Sequence, residues 1–558
     1  MSRSTYILCL LLLSGVAYSQ GRNADTTIFQ YENSGNRPVA NSFKVKENPT
    51  FVDTAKMIPE MKYSIVSRPA SPPVVLVPMK AAKMEGEPLK KLYHGYVKAG
   101  MGTYTTPLLD IRYNQLRSKS SSFGIHLKHI SSASRLKDHG YAGWSDNVVE
   151  GNLKYFMRRH TLNTNLGYIR NALHFYGYND TLFTLLENDY TKQVFNHLDL
   201  GLDLQSHYSD SSRLNHRMTF QLKGLQDYYK VTESDLIFRT EMGKEFNGHF
   251  WGGELLVDHL SARQDFIDTA RSTILQLKPF VKFIGSRIRA QLGAALSFDI
   301  SERNKFHFYP SIEVHYNVAD HIFVPYAGAG GGLNRVSYRT LTAENPFMDP
   351  ETAFNLRNTD VRIELYAGMR GALSPTVSYN MKVVYRTVSD QYFFVTDTLE
   401  GVPDLFELME NRFKLVYDTM TNIRFAGELK FRKSEKLSLL LKGEYNSYSL
   451  RTENYPWYNP AIKLDALFSY NLRDKIITEL DVFYRSKQLA PVRKTSTETD
   501  GVAELKGYAD VNLMMQYVYN KRLSVFLNIY NLGSVRYHKW LNYPSQRLQI
   551  MGGLTFSF

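Results

Sequence analysis

Residues 286–298 decide the fold: Ser-Arg-Ile-Arg-Ala-Gln-Leu-Gly-Ala-Ala-Leu-Ser-Phe. Apolar residues occupy every second position, so that Ile288, Leu292 and Phe298 alternate with polar or small residues such as Arg289 and Gln291. Successive side chains of a β-strand point to opposite faces, so this period of two predicts a strand with one apolar and one polar face. The stretch is about twice as long as the usual strand of ~5–6 residues.

The same alternation recurs from about residue 91 to the last residue, for example in 194–205, 508–517 and 548–558. Short turns alternate with longer polar stretches, as in membrane barrels. We predict turns at Arg117–Ser121, Arg158–His160, Ser209–Arg213, Asn247–His249, Gly285–Arg287, Asn317–His321, Leu373–Thr376, Arg432–Lys436, Asn471–Lys475 and Asn520–Arg522. We predict long connections at 131–145, 173–190, 261–271, 340–358, 389–410, 450–459, 485–506 and 531–545. The pattern predicts an all-β transmembrane antiparallel β-barrel of about 22 strands with a short irregular N-terminal arm.

Composition excludes several other classes. The 558 residues contain no apolar run of the ~18 residues that a membrane helix needs, which excludes a polytopic helical membrane protein. The formal net charge is +13, but the basic residues are spread among the strands, so we expect no nucleic-acid partner. Basic residues near the outer rim are expected to contact anionic lipopolysaccharide, and the apolar strand faces to contact outer-membrane lipid.

Residues 1–19 are predicted to be a secretory signal peptide. Arg3 supplies the positive start, 7–16 the apolar stretch, and Ala17 and Ser19 the small residues before a cleavage site near Ser19/Gln20. Cleavage would remove Cys9, the single cysteine, so a large closed sheet and not disulfides is expected to stabilise the fold. Together these features predict an outer-membrane location.

Residues 20–90 are predicted to be a Pro-rich arm, periplasmic or lumenal, ahead of a barrel at 91–558. Prolines recur through the arm at intervals that prevent long helices and central strands. Barrels of ~22 strands are normally plugged, so the arm, inward-folded loops or a partner must obstruct the lumen. We predict that the arm partly fills it.

The polar strand faces supply the candidate site residues. If they face the lumen, their charges would bias permeation toward anions or fix an acidic part of the arm, with ordinary wetting of the lumen as the alternative. The lumen-facing candidates are Arg287, Arg289, Asp199, Asp203, Arg424 and Glu428. The four tryptophans lie near predicted strand ends and are interpreted as interfacial girdles: Trp144, Trp251, Trp457 and Trp540.

No catalytic, cofactor or metal motif emerges, so we predict that the chain is not an enzyme. His126 and His129 have a ligand-like spacing, but an offset of three on a strand puts them on opposite faces. The glycines of 328–332 lack the Lys-Ser/Thr of a phosphate loop and are interpreted as a strand kink or a close backbone approach.

The closing residues resemble a known family. Tyr508–Leu513, a tight turn, Leu527–Leu532, the loop residue Trp540 and Gly552–Phe558 resemble the end of TonB-dependent receptor barrels. In such barrels an Asn-Leu pair ends the penultimate strand and an aromatic residue closes the last one. The resemblance implies that Phe556 and Phe558 form the C-terminal signal for the outer-membrane assembly machinery.

The departure from that family is at the N-terminus. Such receptors carry a plug domain, whereas 20–90 is shorter and Pro-rich, so the chain resembles the short, plugless receptor-like barrels of Bacteroidota. The resemblance implies capture or porin-like passage of a solute, with TonB or an envelope complex as a further partner. The alternative is a non-transporting scaffold subunit of an outer-membrane complex that serves envelope assembly.

Overall fold

The computed structural model describes residues 92–558 except 117, 180–187, 209, 211, 265–266, 302–303, 320, 397–411 and 493–500. The predicted signal peptide and the predicted arm therefore lie outside the described residues, and so does the prediction that the arm fills the lumen.

The described chain forms one closed antiparallel sheet of 22 strands. Neighbours in sequence pair with each other, apart from two hairpins, β20–β21 and β24–β25, that lie outside the barrel wall. The strands from the N-terminal end are β1 (Gly95–Gly102), β2 (Thr106–Asn114), β3 (Ser121–Ser132), β4 (Trp144–Phe156), β5 (His160–His174), β6 (Lys192–Ser206), β7 (Asn215–Gln226), β8 (Thr232–Phe246), β9 (His249–Gln264), β10 (Ile267–Ile284), β11 (Ile288–Ile300), β12 (Lys305–Tyr316) and β13 (Val324–Asn334). They continue with β14 (Thr359–Ser374), β15 (Val377–Thr396), β16 (Phe413–Lys433), β17 (Leu437–Leu450), β18 (Ile462–Leu472), β19 (Ile476–Arg485), β20 (Gln488–Val492), β21 (Gly501–Leu505), β22 (Tyr508–Val518), β23 (Leu523–Tyr530), β24 (His538–Trp540), β25 (Tyr543–Pro544) and β26 (Gln549–Ser557).

The barrel closes where β26 pairs with β1. The register runs from Tyr96 opposite Ser557 to Gly102 opposite Met551. At the end of the ladder the Phe558 N–H donates to the Gly95 carbonyl at 3.0 Å, and the Gly95 N–H donates back at 2.9 Å. Closure leaves the wall without an unpaired edge, because every barrel strand then has two neighbours. The predicted all-β barrel of about 22 strands is confirmed.

The two faces of the wall differ as the alternation predicts. On β11, Ile288 and Phe298 stay exposed on the outer surface, whereas Ser297 on the opposite face is fully buried. On β6, Leu198 is 55% exposed, whereas Asp203, on the opposite face of the same strand, is only 7% exposed. An exposed apolar exterior over a polar interior suits a wall that contacts lipid on one side and water on the other.

Short turns gather at one end of the barrel. Each of the ten predicted turns covers a junction between consecutive barrel strands, and several also include the last or first residues of a strand. The Asn247-Gly248 turn has φ values of 50° and 74°, the left-handed geometry that a two-residue hairpin turn requires. At the other end, here called the mouth, the long connection predicted at 261–271 is wrong: β9 extends to Gln264, β10 begins at Ile267, and these two residues pair with each other across the hairpin.

The connection between β13 and β14, residues 335–358, is not the solvated loop that a polar stretch predicts. It contains a helix, α1 (Tyr338–Glu344), and a 3-10 helix (Pro350–Phe354). The Ser337 hydroxyl accepts the Thr340 N–H at 3.2 Å, which caps the first turn of α1. Within the described residues, no helix combines the length and apolarity needed to cross a bilayer. We call residues 335–358 the inward segment.

Candidate functional site at the barrel mouth

An arginine at the start of the inward segment binds the polar inner face of the wall. The Arg335 guanidinium donates to the Asp258 carboxylate of β9 at 2.7 Å and to the Ser272 hydroxyl of β10 at 2.7 Å. Both charged side chains are almost buried, with exposed fractions of 10% and 8%. A buried pair of this kind fixes position, because separating the partners would leave a charge without compensation.

A second arginine reaches a different strand. The Arg339 guanidinium of α1 donates two hydrogen bonds to the Asp199 carboxylate of β6, at 2.5 and 2.6 Å. This fork-to-carboxylate geometry is directional as well as charged. Asp199 is one of the lumen-facing candidates predicted from the sequence. Its partner Arg339 is not, because no feature of the sequence pattern indicates it.

The first turn of α1 is held by two more carboxylates. The backbone N–H groups of Tyr338 and Arg339 donate to Glu233 of β8 at 2.7 and 3.1 Å. The Tyr338 hydroxyl donates at 3.0 Å to Asp227, which lies in the connection between β7 and β8. Carboxylates favour the N-terminal end of a helix because the free N–H groups there carry partial positive charge. Wall residues from β6 to β10 therefore clamp the inward segment.

Burial shifts the acid–base properties of the Tyr338 contact. Desolvation raises the pKa of Asp227 to about 6, against the opposing effect of hydrogen bonds from Val231, Tyr338 and Gln193. Burial also raises the pKa of Tyr338 well above its ordinary value. Because the folded state binds the Asp227 proton more tightly than the unfolded chain does, this carboxyl favours folding at low pH. That contribution is lost as the pH rises through about 6.

Aromatic side chains from several connections meet over the mouth. The rings of Phe347 and Tyr543 stack with 3.6 Å between centroids, and the Tyr176 hydroxyl donates to the Pro544 carbonyl at 3.2 Å. Trp540 packs 5.6 Å from Phe413, centroid to centroid. Apart from Phe413, the first residue of β16, these residues belong to connections that leave the wall at distant strands, so their contact spans the opening. The buried residues Phe175, Phe195, Val231, Tyr338, Leu341, Phe347, Met348, Phe393, Phe394, Phe413, Trp457, Tyr458, Trp540 and Tyr543 belong to this mouth cluster.

Backbone hydrogen bonds fasten the middle of the inward segment to β16. The Asp349 N–H donates to the Phe413 carbonyl at 2.9 Å, and the Phe413 N–H donates to the Phe347 carbonyl at 3.1 Å. The Tyr392 hydroxyl of β15 donates to the Glu344 carboxylate at 3.0 Å. The inward segment is therefore anchored at its start, by side chains of β6–β10, and at its middle, by the backbone of β16 and the Tyr392 hydroxyl of β15.

The other lumen-facing candidates lie at separate places on the wall. Arg287 lies in the turn between β10 and β11, and Arg289 lies at the start of β11 with its side chain exposed. On β16, Arg424 is 4% exposed and Glu428 lies 3.9 Å from the Lys442 ammonium.

Asp203 of β6 accepts hydrogen bonds from Arg217 at 2.7 Å and Thr219 at 3.0 Å. Of the six candidates, Asp199 is hydrogen-bonded to the inward segment. The lumen-facing assignment of the set stays a prediction.

Two tryptophans differ from their predicted role. Trp457 and Trp540 are 7% and 2% exposed within the mouth cluster, so for them the prediction of an interfacial girdle is wrong. Trp251 is 53% exposed on the outer surface, near the short-turn end of β9. The sequence contains one sign of this burial: large apolar residues such as Phe347 and Met348 occur inside connections that are otherwise polar. Solvated loops rarely carry such residues.

The C-terminal aromatic residues lie on the outer surface. Phe556 and Phe558 are 44% and 52% exposed, and their rings stack with 6.1 Å between centroids. His126 and His129 contact different partners, Asp110 and Asn147, as the opposite-face prediction requires. Among the residues that the structure describes, no group of three or more His, Cys, Asp or Glu side chains could hold a metal ion.

The closed barrel of 22 strands is a fold that solved structures share. The ferric-catecholate import receptor Fiu of E. coli K12 matches with a TM-score of 0.61 and 8% identity, over 84% of this chain and 82% of its own. The siderophore receptor PirA of Acinetobacter baumannii matches at 0.63 and 11%, over 85% and 81%.

The FrpB iron transporter of Neisseria meningitidis matches at 0.63 and 8%, over 84% and 82%. No family model matches the chain, and no curated protein does. At these identities the likeness concerns the fold, and it confirms the TonB-dependent receptor-like barrel that the closing residues predict.

Proposed function

We propose that this chain is an outer-membrane barrel that captures a solute at its mouth and passes it only when the inward segment leaves the lumen face. The clamp of Arg335 and Arg339 on Asp258 and Asp199 carries the proposal. A passive pore would need no such closure, because two buried or half-buried ion pairs stabilise a covered state at the expense of permeation. The import receptors with the same fold support this role by likeness.

Several further features belong to the same proposal. The signal peptide is cleaved near Ser19/Gln20, and Phe556 and Phe558 present the assembly signal to the machinery that inserts barrels. Outer-membrane lipid and lipopolysaccharide contact the apolar exterior. The arm at 20–90 partly fills the lumen, and TonB or an envelope complex is a further partner. The proposal assigns no catalytic step and no cofactor.

Single-channel recording in planar bilayers tests the proposed closure. The full chain is expected to conduct far less than an open barrel of this strand number, and Arg335→Gln with Arg339→Gln is expected to raise conductance. Deleting 21–85 separates the two obstructions, because conductance that rises only after this deletion would place the barrier in the arm. A full chain that conducts as an open pore would contradict the proposal.

A scaffold subunit is the second candidate, and the extent of the mouth cluster favours it. A seal built from a stacked pair such as Phe347 and Tyr543 costs free energy to open, which suits a barrel that never conducts. Affinity purification from native membranes separates the two functions. Envelope proteins recovered in equal stoichiometry would indicate the scaffold, and growth-dependent uptake would indicate the receptor.

A further inference from the structure

The inward segment leaves a cavity between itself and the wall. Its volume is about 790 Å³, within the range of small-molecule sites. On the wall side it is lined by the mouth ends of β9 to β12, and by β15 and β16. On the other side it is lined by the 3-10 helix and the residues that follow it, up to Asn358. We call this space the wall cavity.

Basic side chains outnumber acidic ones in the lining of the wall cavity. Five lining residues are basic and three are acidic. Arg335 forms an ion pair with Asp258, which is not part of the lining, so four other basic residues line the cavity beside the three acidic ones. The basic residues are Arg271, Lys305, Arg335, Arg357 and Lys414, and the acidic residues are Asp299, Glu351 and Asp390.

Two of the basic side chains share one carboxylate. The Lys305 ammonium lies 3.9 Å from Asp390, and the Arg357 guanidinium lies 3.5 Å from the other oxygen of the same side chain. Both basic side chains are nearly half exposed, at 46% and 44%, so they remain accessible from the cavity. The long distances of both ion pairs leave donors of the two cations available for a further anion.

The backbone presents Asp390 at this position in an unusual way. The register of β15 against β16 shifts between Val388 and Gln391, and Asp390 has a φ of 51°. A β-bulge redirects the side chain of the extra residue, which here meets Lys305 and Arg357. The Arg357 guanidinium also lies 5.0 Å from the Tyr417 ring, which orients its plane at the cavity wall.

A polar group without a partner lies in the same lining. The Thr352 hydroxyl is buried and makes no hydrogen bond within the described residues. A buried hydroxyl without a partner costs free energy, and a bound ligand with an acceptor oxygen would supply the missing partner. This observation is independent of the charge excess.

We infer that the wall cavity binds a small solute that carries a carboxylate or phosphate group, held by Lys305 and Arg357, with the Thr352 hydroxyl donating to the same solute. The inference rests on the proposed capture of a solute at the mouth and assigns its chemical class. Asp390 positions the two cations and competes with the solute for them.

Isothermal titration calorimetry on the purified full chain tests this site. The probes are pyrophosphate and succinate, with succinamide as the neutral isostere of succinate. The full chain is expected to bind both anions and not succinamide. Lys305→Gln with Arg357→Gln is expected to weaken both anions by about tenfold, whereas Asp390→Asn is expected to tighten them. Lys506→Gln, an exposed charge at the same end outside the cavity lining, is the matched control and is expected to bind as the full chain does.

Equal weakening in the control would show that general positive charge attracts the probes, and it would overturn the site. Failure of both anions to bind to the full chain would overturn it as well. If Lys305→Gln with Arg357→Gln does not fold, Asp390→Asn decides, and an unchanged affinity of that variant for the anions would overturn the site. Displacement of succinate by lipopolysaccharide micelles would identify a lipid site in place of a solute site. Because the titration measures binding and not passage, a chain that binds pyrophosphate but never conducts would overturn the proposed passage and leave the cavity assignment standing.

Discussion

Replacing Arg339 with glutamine should release the inward segment from β6. The side chain makes two short charge-assisted hydrogen bonds to Asp199, and both partners are partly exposed, at 22% and 32%. A fully buried pair would lose about 3–5 kcal/mol on truncation, and partial exposure reduces this to about 2 kcal/mol. Such a change multiplies the population of the released state about 30-fold.

Single-channel recording measures that change as the fraction of time in conducting states. Asp199→Asn should produce a similar increase, and the double variant should add little to either, because both substitutions remove the same contact. Arg217→Gln is the matched control. It breaks an ion pair with Asp203, which lies on β6 as Asp199 does but is away from the inward segment. Full additivity of the two Arg339–Asp199 substitutions, or an equal effect of the control, would refute the clamp.

Three further predictions concern pH, packing and assembly. When the pH falls from 7 to 5, the free energy of unfolding measured with urea should rise by about 1 kcal/mol, because burial raises the pKa of Asp227 to about 6. Asp227→Asn should remove that rise. Phe347→Ala should lower the free energy of unfolding by about 3 kcal/mol through loss of its stack on Tyr543, and unchanged urea unfolding would contradict this. Phe558→Ala should reduce the heat-modifiable folded band on gels severalfold, whereas Phe306→Ala, equally exposed on the outer wall, should not.

The wall of the barrel could be predicted from the sequence because its cause is local. Each strand alternates apolar and polar residues because one face contacts lipid and the other contacts water. The alternation within 286–298 is therefore sufficient to predict β11. Turns are local as well, and Asn247-Gly248 marks one by its backbone preference. Strand number then follows from counting turns, which is why 22 strands could be anticipated.

The mouth could not be predicted in the same way because its contacts are between residues far apart in sequence. Arg339 and Asp199 are 140 residues apart, and nothing local distinguishes this arginine from a solvated one. The mouth cluster shows the same limit, since Trp457 and Trp540 lie within connections whose sequences are mostly polar. The sequence indicated Asp199 only because it lies on the polar face of a predicted strand. Its partner, Arg339, could be identified only from the structure of the inward segment.

Thiol labelling of the inward segment tests the closed mouth most directly. Thr342 lies on α1 and is 4% exposed, and cysteine replaces threonine there with little change in volume. In proteoliposomes of the full chain, Thr342→Cys is expected to resist a membrane-impermeant maleimide, while Glu351→Cys, at an exposed position of the same segment, reacts quickly. Adding Arg335→Gln and Arg339→Gln should raise the Thr342→Cys rate toward that of the exposed position. Rapid labelling of Thr342→Cys with both arginines intact would contradict the closed mouth.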